Sequence, residues 1–289
     1  MDQHVEFEDR PDVTDPVVLF AFGGWNDGGE AATTAARYLR DRWGARRFAS
    51  IDPEEFFDFQ VNRPHVLLED GQTRRLEWPA CEFFAAHVHD RDVVVFIGIE
   101  PNNRWRTFIE ALLSVVRELH PRLLVTLGAF LADVPHTRTA PVTAASADDR
   151  WAARLGVEPS RYEGPTGIVG VLHESARVVG LPTVSLWGAA PHYLPSGTNP
   201  KVALSLLRKL GALLEMPIDT DDVETAVAIW EKQVREVVEE DENLVQYVAR
   251  LEDAAGDNEP LGQIPSADQL AEELEAFLRD NPEEGGSRT

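Results

Sequence analysis

Apolar runs alternate with helical patterns along most of the chain. VVLFAF (Val17–Phe22) leads into GGWNDGG and then into the alanine-rich stretch EAATTAARYLRDR. ARRFASI (45–51) reads as a second strand, and VVVFIGI (93–99) precedes a helix predicted over Trp105–Leu119. LLVTLGA (123–129) precedes the polar loop DVPHTRTAPVTA, and PTVSLWG (182–188) precedes a loop and the helical pattern PKVALSLLRKLGALL. Strands built of continuous Val, Leu, Ile and Phe, separated by helices, predict an α/β fold with a mostly parallel sheet covered on both faces.

Two stretches break this alternation. Residues 54–80 contain HVLLEDGQTRRLEW, two extended runs joined at Asp70-Gly71, which predicts a β-hairpin inserted into the core. Such a hairpin serves assembly or is a bare surface excursion. The second break is C-terminal. Val223, Val227, Trp230, Val234 and Val237 recur every three or four residues, and Leu244, Val248 and Leu251 continue the stripe. Ser266-Ala-Asp-Gln269 has a capping-box pattern before Leu270, Leu274 and Phe277. The predicted organisation is a core over 1–214, an amphipathic helical appendage over 215–280 and a disordered tail over 281–289.

Charge sharpens the picture of the appendage. The net charge is −23, and 22 acidic against 5 basic residues lie from Glu215 onward. So acidic a surface argues against nucleic-acid and anionic-membrane partners. The polar N-terminus and the lack of an apolar run of about 20 residues predict a cytoplasmic protein with no membrane partner. Cys81 is the one cysteine, which excludes an intrachain disulfide and a cysteine-based metal cluster.

In an open parallel sheet, ligands bind beyond the carboxyl ends of the strands. That rule gathers Gly24, Trp25, Asn26, Asp27, Glu100, Asn102, Asn103, His136, Arg138, Trp187, His192 and Tyr193 on one rim as ligand-binding candidates. Thr166 joins them as a candidate cap for a helix starting at Gly167. GGWNDGG lacks the lysine of a P-loop and the GxGxxG spacing of a dinucleotide site. It is read first as a tight turn, with Asp27 as N-cap and Glu30 in a capping-box relation, ahead of ligand contact through Trp25 or Asn26. His136 and Arg138 could hold an anion, or Arg138 could pair with the acidic appendage. His87 and His89 share a face if extended, but two histidines are weak evidence for zinc. His173-Glu174-Ser175 has triad residue types, yet helix neighbours do not face one another. There is no GxSxG elbow. Cys81 reads as a small buried apolar residue. Asp27 and Glu100 could converge for acid–base work, but no motif requires it. No cofactor or metal is expected, and no catalytic residue can be assigned.

FAFGGWNDGGEAA, FIGIEPNNRWRTF, LVTLGAFLADVPHTR, GPTGIVGVLHESA and SLWGAAPHYLPSGTNPKVAL, in this order, resemble the proteasome assembly chaperone 2 family, most closely its actinobacterial branch. The resemblance spans most of residues 15–255. It implies a phosphorylase/hydrolase-like three-layer α/β core, a homotrimer assembled partly by the hairpin, and C-terminal helices lying as a lid over the rim. Archaeal and eukaryotic relatives help assemble proteasome α rings, so proteasome subunits are the implied partners. The archaeal type docks through a C-terminal tail of hydrophobic residue, tyrosine and any residue. Here the last three residues are Ser287-Arg288-Thr289, with Arg288 at the tyrosine position.

Two functions follow as expectations. One is a non-enzymatic assembly or interaction protein. The other is a small-molecule-binding protein or hydrolase/phosphorylase-like enzyme with its pocket at the rim. A passive structural trimer is a third.

Overall fold

The computed structural model describes residues 3–146, 148–159, 163–194 and 197–255. The capping-box segment at 266–269, the apolar positions after it and the tail lie outside the described residues. Strand β1 (Val5–Phe7) is followed by β2 (Val17–Gly23), a 3-10 turn (Gly28–Glu30) and α1 (Ala31–Arg42). Next come β3 (Arg46–Ile51), β4 (His65–Glu69), β5 (Thr73–Glu77), β6 (Glu82–Val88) and β7 (Arg91–Ile99). Helix α2 (Trp105–Leu119) leads to β8 (Leu123–Ala132), β9 (Val142–Ser146), α3 (Asp149–Leu155) and β10 (Glu158–Pro159). The order ends with α4 (Ile168–Val178), β11 (Thr183–Pro191), α5 (Pro200–Leu214), α6 (Asp221–Glu239) and α7 (Glu242–Ala254).

The main sheet runs β1-β3-β6-β7-β2-β8-β11-β9-β10. Its centre, β7-β2-β8-β11, is parallel, as the continuous apolar runs predict. The flanks are mixed: β1, β3 and β6 pair antiparallel toward one edge, and β9 pairs antiparallel with β11 toward the other. The strand expected over 45–51 is β3, but antiparallel neighbours need no helical crossover, so the alternation of strands and helices gave no sign of β1, β6 or β9.

Strand pleating sends successive side chains to opposite faces, which builds two cores. Val17, Leu19, Ala21, Val125 and Leu127 face α1 and α5. Val18, Phe20, Phe22, Val94 and Phe96 face α2 and α4. The second face is aromatic, with Phe83 and Phe96 centroids 4.8 Å apart. The first accepts α1 closely because Ala31, Ala32, Ala35 and Ala36 are all fully buried.

The predicted hairpin forms a separate two-stranded sheet, with Val66 opposite Leu76. Asp70 and Gly71 have φ of 53° and 71°, the left-handed pair that a type I′ turn requires.

Helix α6 begins against the core, where Val223 and Val227 join the α1–α5 side. Tyr38 donates to the Asp219 carbonyl at 2.9 Å, and Arg208 pairs with Glu224 at 2.9 Å. Its distal half and α7 form a separate small cluster of Val234, Val238 and Val248, on which Tyr193, Leu194, Trp230 and Leu244 pack. Val238 takes the buried position; Val237, predicted in the stripe, is exposed. The apolar stripe of these helices therefore covers the rim beside the β11 end.

Candidate functional site

The rim candidates fall into three local networks. The first is built by the GGWNDGG loop after β2. Gly24 has φ of 112° and its carbonyl accepts the Asp27 N–H at 3.0 Å. Asp27 is buried; its Oδ1 accepts the N–H groups of Ala32 at 2.7 Å and Thr33 at 3.3 Å, and its Oδ2 accepts the Thr33 hydroxyl. It therefore caps α1, from beyond the intervening 3-10 turn. Burial pushes its carboxyl above the ordinary range, against the lowering effect of those hydrogen bonds. The expected capping-box role of Glu30 is corrected. Its carboxylate accepts the Thr198 hydroxyl at 3.1 Å, and Glu30 itself sits at φ 48° at the N-cap of α1.

Asn26 is fully buried and donates from Nδ2 to Glu100 Oε1 at 3.0 Å. The same oxygen accepts the Ile168 N–H at 2.7 Å. Glu100 thus caps α4 from the end of β7. The expectation for Thr166 is corrected: the cap residue is Gly167, without a side-chain bond, and Thr166 is exposed. The physical reason is space. A Cβ at Gly167 would lie 2.6 Å from the Asn26 amide and 2.8 Å from Glu100 Oε1, so the carboxylate approaches the helix start only over a glycine. Asp27 and Glu100 are committed to separate helix starts rather than converging on shared acid–base work. Trp25 is 69% exposed beside them.

The second network is anchored by Asn102. Its Oδ1 accepts the Asp58 N–H at 2.9 Å and the Asn62 amide at 2.8 Å, and the N–H groups of Asn102 and Asn103 both donate to the Phe56 carbonyl. These asparagines fasten the segment that leads to the hairpin. Trp187 belongs to neither network. Its ring is half-buried on the α2–α4 face, and a Cβ at Gly128 would come within 2.6 Å of it.

The third network lies under α6 and α7. The Tyr193 hydroxyl accepts the His136 backbone N–H at 2.8 Å and stands 2.9 Å from His136 Nδ1. Burial, then the nearby Lys201, holds His136 below its ordinary pKa. The His136 carbonyl accepts Lys201 Nζ at 2.7 Å, and Nζ also pairs with Glu231 of α6 at 2.7 Å. Arg138 donates to the Glu252 carbonyl of α7 at 3.0 Å, so it does bind the acidic appendage, through backbone. His192 Nδ1 meets Asp133 at 3.0 Å, and Tyr247 of α7 donates to the same carboxylate at 2.8 Å. Burial, then the bond to Asp133, pushes the Tyr247 hydroxyl up to about 12. A narrow crevice of about 10 Å³, room for roughly one water, lies between His136, Arg138, Asn199, Lys201 and Trp230.

Lys201, Glu231, Tyr247 and Asp133 were missed by the sequence. The available signal was the scarcity of lysine, with three in the chain. Other candidates resolve structurally. β6 ends at Val88 and His89 turns at φ 55°, so His87 and His89 share no strand face; His87 pairs with Asp92 at 2.8 Å. Among the described residues no group of three or more His, Cys, Asp or Glu could hold a metal ion. His173 Nε2 is buried 2.8 Å from the Thr126 hydroxyl, while Glu174 pairs with Arg177. Burial pushes the Cys81 thiol up to about 12, leaving it inert.

A mixed sheet covered on both faces, with a free-standing hairpin and a helical pair over one rim, defines a three-layer α/β protein. The chain belongs to the PAC2 family, whose sequence profile matches residues 21–238. A PAC2 family protein from Streptomyces avermitilis is 42% identical, over 81% of this chain and 100% of its own, with a TM-score of 0.75. A proteasome-assembly chaperone homologue from Mycobacterium tuberculosis is 43% identical, over 80% of this chain and 99% of its own, with a TM-score of 0.72. PbaB of Pyrococcus furiosus, an archaeal proteasome activator, shares the fold at 21% identity and a TM-score of 0.67, over 81% of this chain and 97% of its own. No curated protein matches the chain.

Proposed function

We infer that the chain is a non-enzymatic assembly or interaction protein, acting in the cytoplasm as a homotrimer. The β4–β5 hairpin carries this inference. Val66, Leu68 and Leu76 share one face by register and are 56%, 61% and 54% exposed. A two-stranded hairpin is marginal by itself in water, and so apolar a face favours association. Hairpins from further copies of the chain are the cover it fits. The named role of the M. tuberculosis homologue supports proteasome subunits as the protein partner. None of the described helices is long and apolar enough to cross a membrane, and the −23 charge disfavours nucleic acid. Sedimentation of the wild type at micromolar concentration is expected to give three times 32.1 kDa. The V66S/L68S/L76S variant is expected to sediment as a folded monomer. A wild type that stays monomeric contradicts the inference.

A second reading starts from the crevice between Lys201, His136 and Trp230, which has room for roughly one water beneath α6 and would widen only if α6 and α7 opened. A small-molecule-binding protein, or a hydrolase/phosphorylase-like enzyme, would hold its ligand there with α6 and α7 as a lid. Such a ligand raises the melting temperature by mass action. A broad metabolite screen that produces no shift removed by His136→Ala counts against this reading.

A further inference from the structure

One tryptophan of the chain is held out from the surface by a loop that is itself fixed. Trp25 is 69% exposed; Trp78 follows at 48%, and the other tryptophans are partly buried. Among the described residues the Trp25 indole has no hydrogen-bond or ring partner. The backbone on either side of it is pinned. The Gly23 carbonyl accepts the Glu100 N–H at 2.9 Å, and the Gly24 carbonyl accepts the Asp27 N–H at 3.0 Å. The Asn26 carbonyl accepts the Ala129 N–H at 2.8 Å, and the Asn26 side chain is buried on Glu100. Gly24, at φ 112°, takes a conformation that strains any other residue type. The loop cannot fold back to cover its tryptophan without breaking these bonds. Leu131 is 61% exposed at the end of β8, which the same loop crosses: a Cβ at Gly28 would lie 3.3 Å from the Leu131 nitrogen.

We propose that Trp25, with Leu131 on the same rim, is the anchor by which the chain holds its protein partner, and that the partner offers an apolar socket bordered by lysine or arginine. The proposal rests on the assembly reading of the preceding section and gives that reading its contact surface. Tryptophan is among the residues that carry most of the energy at protein interfaces. A loop already fixed in place loses no freedom when its side chain is buried by a partner, so the burial goes into affinity. Charge decides what kind of partner fits. Glu30 ends the loop, Asp133 follows Leu131, and Glu163 lies just before the α4 start that packs on Asn26; all three are exposed. An apolar anchor with an acidic border is complemented by a basic surface, and a lysine or arginine there can also stack on the indole face. A second copy of a chain carrying −23 is disfavoured at so acidic a rim. The hairpin is left to the contacts between copies.

The test uses the full chain, with a purified proteasome α subunit as probe. Calorimetry follows binding at low and high salt, and sedimentation follows the oligomeric state. The wild type is expected to bind, and to bind more weakly as salt rises. Trp25→Ala is expected to bind at least about thirtyfold more weakly. Leu131→Ser should lose less, and Trp25→Phe should recover part of the loss. The oligomeric state and melting temperature of all three variants are expected to match the wild type, since both side chains are exposed. A Trp25→Ala variant that binds as tightly as the wild type overturns the proposal and leaves the assembly reading standing. So does one that changes the oligomeric state, which would place the tryptophan between copies. Affinity indifferent to salt overturns the basic socket. A wild type that does not bind the subunit overturns the proteasome partner and the anchor together.

Discussion

Glu100 and Gly167 show how the rim is organised residue by residue. One carboxylate oxygen serves both the Asn26 amide and the first N–H of α4. Gly167→Ala places a methyl group within 2.6 Å of that amide. We expect it to cost about 1–3 kcal/mol in urea unfolding, the usual range for overpacking. Glu100→Ala should lose a similar amount, about 1–2 kcal/mol, through the missing cap. Equal stability of wild type and both variants would refute the capping role. His173 gives a pH signature. Burial pushes its pKa from 6.5 down to about 4. The unfolded chain therefore binds a proton that the folded one refuses. Its contribution is intact above the unfolded value and is lost as pH falls toward the folded one, about 3 kcal/mol in all. The stability gap between wild type and His173→Leu should narrow by that amount between about pH 7 and pH 4. A gap that stays constant would show that His173 is not held neutral by burial. The sequence announced Asp27 as a cap, because the residue type and the helix start are local. It concealed Glu100 as a cap, because the two partners stand far apart in the chain. Lys201 and Glu231 were hidden for the same reason.

Elements were more legible than their partners. Helix α2 spans Trp105–Leu119 as the apolar spacing predicts, and the Asp70-Gly71 hairpin stands where the turn residues put it. Periodicity reports which face is apolar, and it does not report what covers that face. The stripe on α6 proved to meet two different surfaces, the core through Val223 and Val227 and the rim cluster through Val234 and Val238. This division predicts uneven protection. Amides of α7 should exchange much faster than those of α5, whose Val202, Leu206, Leu207 and Leu210 are fully buried in a large core. Matched protection in α5 and α7 would mean that the C-terminal helices open only with global unfolding. β6 and β9 were not announced, since they join the sheet antiparallel and carry no crossover helix of their own.

At the scale of the whole molecule, the parallel centre with its two covering layers was written in the sequence, because both faces of each central strand are apolar. The cover of the hairpin was not, because its exposed apolar face is three side chains whose neighbours, in the trimer proposed above, come from another chain. The −23 charge makes the hairpin an apolar site on an otherwise self-repelling surface. In the proposed trimer, association at the hairpin must outweigh that repulsion, so the assembly should tighten as salt rises. The most direct measurement is a native mass spectrum of the protein purified gently from its own cells. A mass of three chains of 32.1 kDa each, joined by the mass of a proteasome subunit, is the predicted result. A bare monomer would contradict the account.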